Sequence, residues 1–458
     1  MSEQSRRAFL KRAGCFSLVG GASPFVMNLA AIGEAAAATA TDYKALVCIF
    51  LFGGNDYANT VTPYDQASYD LYAANRGTIA HTRDSLAATL LNPTNPLSGG
   101  RQMALAPNLA PLIPIFDAGR LGVVLNVGSL VQPTSKANYT ARSVPLPPKL
   151  FSHNDQQSFW QASSPEGATS GWGGRIGDLL QSGNGASALT CISASGNSVY
   201  LAGRSAIQYA VTTTGPIPLL NNATTLFGSA AAYTALRGLA TGARANLFEN
   251  EHATVTRRSL DLQAQVTAAL AASPAISTPF PANTGNLAEQ LRIVLRLISV
   301  SQELGARRQV FFVSLGGFDN HDSMLTAHPV LMTRLGAAMR YFYDASVALG
   351  ISDRITAFTA SDFGRTLTSN ANGSDHGWGS HHLVMGGAVN GRAYYGTPPT
   401  IANNGPDDVG QGRLLPSLSV DQYGATLASW FGVSAGQMST ALPNINNYNP
   451  STWNLGFV

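Results

Sequence analysis

Apolar residues along the chain gather in short unbroken runs. Residues 45–52 (ALVCIFLF), 122–127 (GVVLNV), 188–193 (ALTCIS), 309–315 (QVFFVSL), 354–359 (RITAFT) and 383–389 (LVMGGAV) each have strand length. Apolarity without alternation marks strands covered on both faces. Between them, residues 107–118, 172–181, 287–304, 332–349 and 421–431 carry helical patterning. In 287–304, for example, Leu291, Val294, Leu295 and Ile298 fall on one helical face. Residues 196–285 have a different texture. Their centre, 233–271, is rich in Ala, Arg and Gln and reads as helix, with loop-like flanks such as TTTGPIPLLNN. We take this stretch as a helical insertion over the sheet. Alternating buried strands and helices predict one α/β domain over residues 41–458, a mostly parallel sheet with helices on both faces.

Composition narrows the picture. The chain has 458 residues, 45% of them hydrophobic, enough for a sizeable core. Charged residues make up 12%, about half the usual ~25%. A net charge of +3 spread over this length gives no basic surface for nucleic acid, so no such partner is expected. No haem, iron–sulfur or dinucleotide motif is visible. Cys48 and Cys191 sit in apolar runs and read as buried core thiols.

The N-terminus resembles a twin-arginine export signal. Ser5, Arg6, Arg7, Phe9, Leu10 and Lys11 fit that pattern, a mildly apolar run spans residues 15–32, and AAAATA fills 35–40. The resemblance implies a signal over residues 1–40, cleaved after Ala38 or Ala40. It also implies the twin-arginine translocase as partner during export, no stable membrane anchor, and a periplasmic or secreted mature protein.

Candidate chemistry concentrates in residues 359–389 (TASDFGRTLTSNANGSDHGWGSHHLVMGGAV), which hold Asp362, Asp375, His376, His381 and His382. Asp56 follows the first strand, Asp319 and His321 follow QVFFVSL, and Asp362 follows the strand before SDFGR. In an open parallel sheet ligands gather beyond the carboxyl ends of the strands, so these groups are expected to converge. Asp and His in such numbers need protons or a cation to coexist, which predicts a hydrolytic centre with one or two metals. Each residue alone also has a plain structural reading. Asp56, Asp362 and Ser152 can cap turns or helices, His321 can be a hydrogen-bonded loop residue, and Trp378 can pack. Shared location at one sheet edge is what favours the metal.

The blocks FGGND, FSHNDQQSFWQ, GWGGRIGDLL, GGFDNH, SDFGRTL and DHGWGSHHLVMGGAVNG resemble an uncharacterised, twin-arginine-exported bacterial family of the DUF1501 type. That family is grouped with the alkaline phosphatase and sulfatase superfamily, so the resemblance implies an alkaline phosphatase-like fold. It assigns Asp56, Asp319, His321 and Asp362 to metal binding, with His376, His381 or His382 as the late metal histidine. Ser152 would be the nucleophile beside His153, and Arg365 would stabilise charge on the transferred group. The implied cofactor is divalent metal, Zn, Mn or Ca. The implied activity is hydrolysis of phosphate or sulfate esters on a small molecule or polymer. Three features depart from the superfamily: Phe363 stands where a histidine follows the third aspartate, the Asp-to-His spacing in GGFDNH is short, and there is no CxPxR, which excludes a sulfatase that uses a modified cysteine. They leave a second expectation, a non-catalytic exported binding protein on a degenerate form of this fold.

Overall fold

The computed structural model describes residues 42–219 and 224–458, so the signal-like segment lies outside the described residues. In chain order the first strands are β1 (Lys44–Phe52), β2 (Val61–Pro63), β3 (Met103–Leu105), β4 (Leu121–Gly128), β5 (Cys191–Ser193), β6 (Gln208–Thr212) and β7 (Gly215–Pro216). The remainder are β8 (Arg308–Gly316), β9 (Ile355–Ser361), β10 (Arg365–Ser369), β11 (Ser374–His376), β12 (Ser380–Gly386), β13 (Tyr394–Tyr395) and β14 (Leu418–Ser419).

One large sheet runs β13-β4-β12-β9-β1-β8-β5-β6-β7, with β14 also paired to β4. Its centre is parallel: β1 pairs with β8 on one side and β9 on the other. The sheet as a whole is mixed, because β12 runs antiparallel to both β9 and β4. The chain enters β12 straight from the β10–β11 hairpin, so no crossover helix restores its direction.

Helices cover both faces, as the unbroken apolar strands require. Val47, Ile49 and Leu51 of β1 pack with the helices Leu287–Ser299 and Met324–Ala348. Leu46, Cys48 and Phe50 pack on the other side with Trp172–Leu180 and Val420–Phe431. Cys48 and Cys191 are buried and unbridged.

The pattern-based elements shift in instructive ways. Residues 107–112 form a 3₁₀ turn carrying Pro107 and Pro111, with α-helix only at Ile113–Asp117. The expected long helix at 233–271 is two helices, Ala230–Thr241 and Leu247–Ala271, the second capped by the Asn246 side chain. The 196–285 region is not purely helical, because β6 adds to the sheet in parallel with β5 and β7 follows it. Among the described residues no helix is long and apolar enough to cross a membrane.

This topology places the carboxyl ends of β9, β1 and β8 side by side. After β1 the chain turns through Gly53 and Gly54, at φ 112° and 81°. A side chain at Gly53 would put its Cβ 2.5 Å from the Asp319 amide nitrogen, and one at Gly54 would meet the Phe363 ring at 2.2 Å. Those glycines let the three loops close on one another.

Candidate metal centre

Four side chains meet beyond these strand ends. Asp319 stands three residues past β8, and His321 follows in the same loop. His376 ends β11, the second strand of the β10–β11 hairpin that grows out of β9. His153 is the first residue of the helix His153–Ala162, behind the N-cap Ser152.

Each imidazole is held by Nδ1 on a group that accepts a hydrogen bond. His153 Nδ1 lies 2.8 Å from Asp362 Oδ2, His376 Nδ1 2.8 Å from the Phe151 carbonyl, and His321 Nδ1 2.9 Å from Asp375 Oδ1. A carbonyl or carboxylate can only accept, so Nδ1 of each ring donates its N–H to it, which leaves Nε2 of each neutral ring as a bare lone pair. Those three lone pairs converge on one carboxylate. His153 Nε2 is 3.4 Å from Asp319 Oδ2, while His321 and His376 Nε2 are 3.1 and 3.3 Å from Asp319 Oδ1.

The arrangement is electrostatically incomplete. His321 Nε2 and His376 Nε2 stand 2.9 Å apart, two lone pairs facing each other unless a proton or cation intervenes. His153 Nε2 is buried without a hydrogen-bond partner, a costly state for a polar atom. One ligand atom each from His153, Asp319 and His376 lies within 4.8 Å of the others. Imidazole nitrogens anchored through their second nitrogen on carboxylate or carbonyl are the usual surroundings of a bound metal. The donor set therefore fits a cation.

The surrounding charges tune these groups. The hydrogen bond to Asp362 raises the pKa of His153 despite partial burial. Burial pushes Asp362 up in turn, against the pull of His153 and the Gly53 amide. Burial would also raise Asp319, but the Arg365 hydrogen bond and charge, with His153 and His321, hold it below the usual carboxylate range. Burial lowers His376, favouring the neutral ring that can ligate.

Arg365 is fully buried. Its Nη1 donates to Asp319 Oδ1 at 2.8 Å and to the Gly53 carbonyl at 3.0 Å, and its Nε donates to the Ser374 carbonyl at 2.9 Å. These bonds make it a positioning residue for Asp319. Phe363 walls the cluster, its ring centroid 4.9 Å from that of His153 and 4.8 Å from that of His376.

A family profile described as "Protein of unknown function (DUF1501)" matches residues 43–414. The chain belongs to this family. Comparison with curated proteins finds no match. Among solved structures, the DUF1501 chain is similar to Ps i-CgsB in complex with k-i-k-neocarrahexaose, at 11% identity and TM-score 0.34, covering 90% of this chain and 78% of that one. It is similar also to a protein solved in work on glycosaminoglycan metabolism by Bacteroides thetaiotaomicron, at 9% identity and TM-score 0.33, covering 86% and 73%. A mutant of the alkaline phosphatase PafA aligns at 10% identity and TM-score 0.26, covering 71% and 64%.

Three of the expected metal residues in this DUF1501 chain lie away from the cluster. Asp56 is buried on the far side of Arg365's partner Ser374: its Oδ2 accepts from Arg76 Nη2 at 2.6 Å and from Ser374 Oγ at 2.5 Å. Its Oδ1 caps the following 3₁₀ turn through the Asn59 amide at 3.0 Å. Burial alone would raise this carboxyl, and the Arg76 charge brings it below the ordinary range. Asp56 is thus satisfied by an internal cation. His381 and His382 lie on β12, which is buried along its length. His381 Nδ1 accepts from the Asn126 amide at 3.0 Å, and the His382 ring lies 4.7 Å from that of Trp160. Burial drops both to about 3, so both are neutral core residues.

Asp362 reaches the centre indirectly, as the anchor of His153. Ser152 Oγ donates to Asp155 at 3.2 Å and, among the described residues, bonds no histidine. Sequence reasoning did not find the Phe151 carbonyl, since a backbone atom leaves no residue-type signal. Arg76, twenty residues beyond Asp56, was missed for the same lack of a local motif.

Proposed function

We propose that this chain is an exported metal-dependent hydrolase of phosphate or sulfate esters, acting on a small-molecule or polymer-borne substrate in the periplasm or outside the cell. The observation carrying this reading is the convergence of three anchored imidazoles on Asp319. His153, Asp319 and His376 would hold the ion, with His321 completing the set. Imidazole with one carboxylate suits Zn or Mn better than Ca, which prefers oxygen ligands throughout. A bound divalent ion would supply Lewis acidity toward a phosphoryl or sulfuryl oxygen.

The chain's own residues do the rest. Asp362, the Phe151 carbonyl and Asp375 keep the ring protons on Nδ1, so that the inward nitrogens stay free. Arg365 fixes the carboxylate, and Phe363 excludes water from one wall.

A second reading draws on Asp56 and Phe363. A guanidinium already neutralises Asp56 and an aromatic ring fills the space beside His153, which leaves one cation position and favours an exported binding protein without catalysis. A panel of phosphate and sulfate monoesters offered to the mature protein with Zn or Mn separates the two. Under the hydrolase reading turnover falls about a thousandfold in Asp319→Ala, the size of losing a key charge-stabilising group. Ser152→Ala should leave turnover about unchanged, since its hydroxyl is spent on Asp155 and, among the described residues, no histidine bonds it to activate it as a nucleophile. Metal binding without turnover in any ester would favour the binding protein.

A further inference from the structure

A groove of about 720 Å³ adjoins the candidate metal centre, lined by Tyr139, Arg142, Val144, Leu146, Lys149 and Phe151 among others. Phe151 belongs to both features: its carbonyl anchors His376, and its side chain walls the groove. Arg413 stacks over the same ring at 4.3 Å and donates through Nε to the His376 carbonyl at 3.1 Å. The backbone here is unusual. Arg142, Lys149 and Phe151 have φ of 49°, 45° and 74°, a region that side chains other than glycine's seldom adopt and that clusters at functional sites.

The charges in the groove have one sign. Arg142 and Lys149 line it, and among the described residues no acid does. Lys149 is 70% exposed. Its Nζ pairs at 3.7 Å with Asp155, which is 4% exposed, lies outside the groove lining and also accepts from Ser152, so the ammonium keeps an open face. In the same groove Val144, Leu146, Leu150 and Phe151 supply apolar lining. A monoester placed at the metal centre would use neither the cations nor these walls. A longer molecule carrying a second anionic group would use both.

We propose that this groove is a subsite for a multiply anionic substrate, a sulfated polymer whose carbon skeleton lies on the apolar lining of residues 146–151 and whose neighbouring charge meets Arg142 and Lys149. The proposal rests on the hydrolase reading and assigns its substrate class.

Binding of fluorescently labelled dextran sulfate to the metal-loaded mature protein tests it, with neutral dextran of equal size as the control. Wild type should bind the sulfated polymer and not the neutral one. The double variant Arg142→Glu/Lys149→Glu should weaken that binding about tenfold or more at low salt, with a smaller loss at high salt where charges are screened. Both residues are exposed, and metal content measured on the same samples should not change. Equal binding by wild type and variant would place the polyanion elsewhere and overturn the proposal. So would wild type showing no preference for the sulfated polymer. Turnover of phosphate and sulfate monoesters by the same samples reports separately on the centre, so failure of the subsite and failure of the hydrolase reading can be told apart.

Discussion

Arg76→Met is expected to destabilise the protein by about 3–5 kcal/mol, the cost of stranding one member of a buried ion pair. Arg76 and Asp56 are 0% and 1% exposed and 2.6 Å apart. Removing the guanidinium leaves the carboxylate with Ser374 and the Asn59 amide as partners, in a place water does not reach. It also releases the Thr366 carbonyl, which accepts from Arg76 Nη1 at 2.9 Å and ties the Gln66–Arg76 helix to β10. Met replaces much of the arginine's volume, so the loss reports the charge more than a cavity. Asp56→Asn in the same chain should recover part of the loss by removing the unpaired charge. Urea unfolding of the two variants measures both effects. A loss under about 1 kcal/mol would show that Asp56 finds another partner and that the pair has been misplaced.

Asp362→Asn is expected to weaken metal binding about 10- to 100-fold while leaving the fold intact, the range seen when the group orienting a ligating histidine is altered. The carboxylate keeps the His153 proton on Nδ1, 2.8 Å away, and also accepts the Gly53 amide at 3.1 Å. An amide can turn its NH₂ toward His153. The ring would then carry its proton on Nε2, the nitrogen that faces Asp319, where it blocks ligation. Competition with a chelator gives the affinity, and ring-nitrogen NMR of His153 gives the tautomer. An unshifted affinity with the proton still on Nδ1 would mean that Asp362 is a structural partner only.

The sequence carried the frame of the site further than its contents. β1, β8 and β9 announce themselves as unbroken apolar runs, and parallel neighbours must end at one edge. Asp319 and Asp362 were legible for that reason. Asp56 occupies an equivalent position in sequence, yet its role depends on Arg76 arriving from a helix with little apolar periodicity. His381 and His382 were drawn in by their nearness to His376. A strand covered on both faces buries successive side chains alike, so the two histidines on β12 go into the core while His376, on the short hairpin before it, faces the centre. That hairpin is only weakly marked, its strands separated by the polar stretch Asn370–Gly373. His153 was placed beside the centre as a neighbour of Ser152, but the pattern could not say which of the two would turn inward. A helix starting in FSHNDQQ has no apolar stripe before Phe159 to set its face.

The most direct test is elemental analysis of the mature protein after exposure to Zn or Mn and removal of loose ions, set beside Asp319→Ala. The geometry calls for about one ion per chain in the wild type and near none in the variant, with both unfolding cooperatively. Absence of metal from wild type, or full retention of it in a folded Asp319→Ala, would contradict a centre built on that carboxylate.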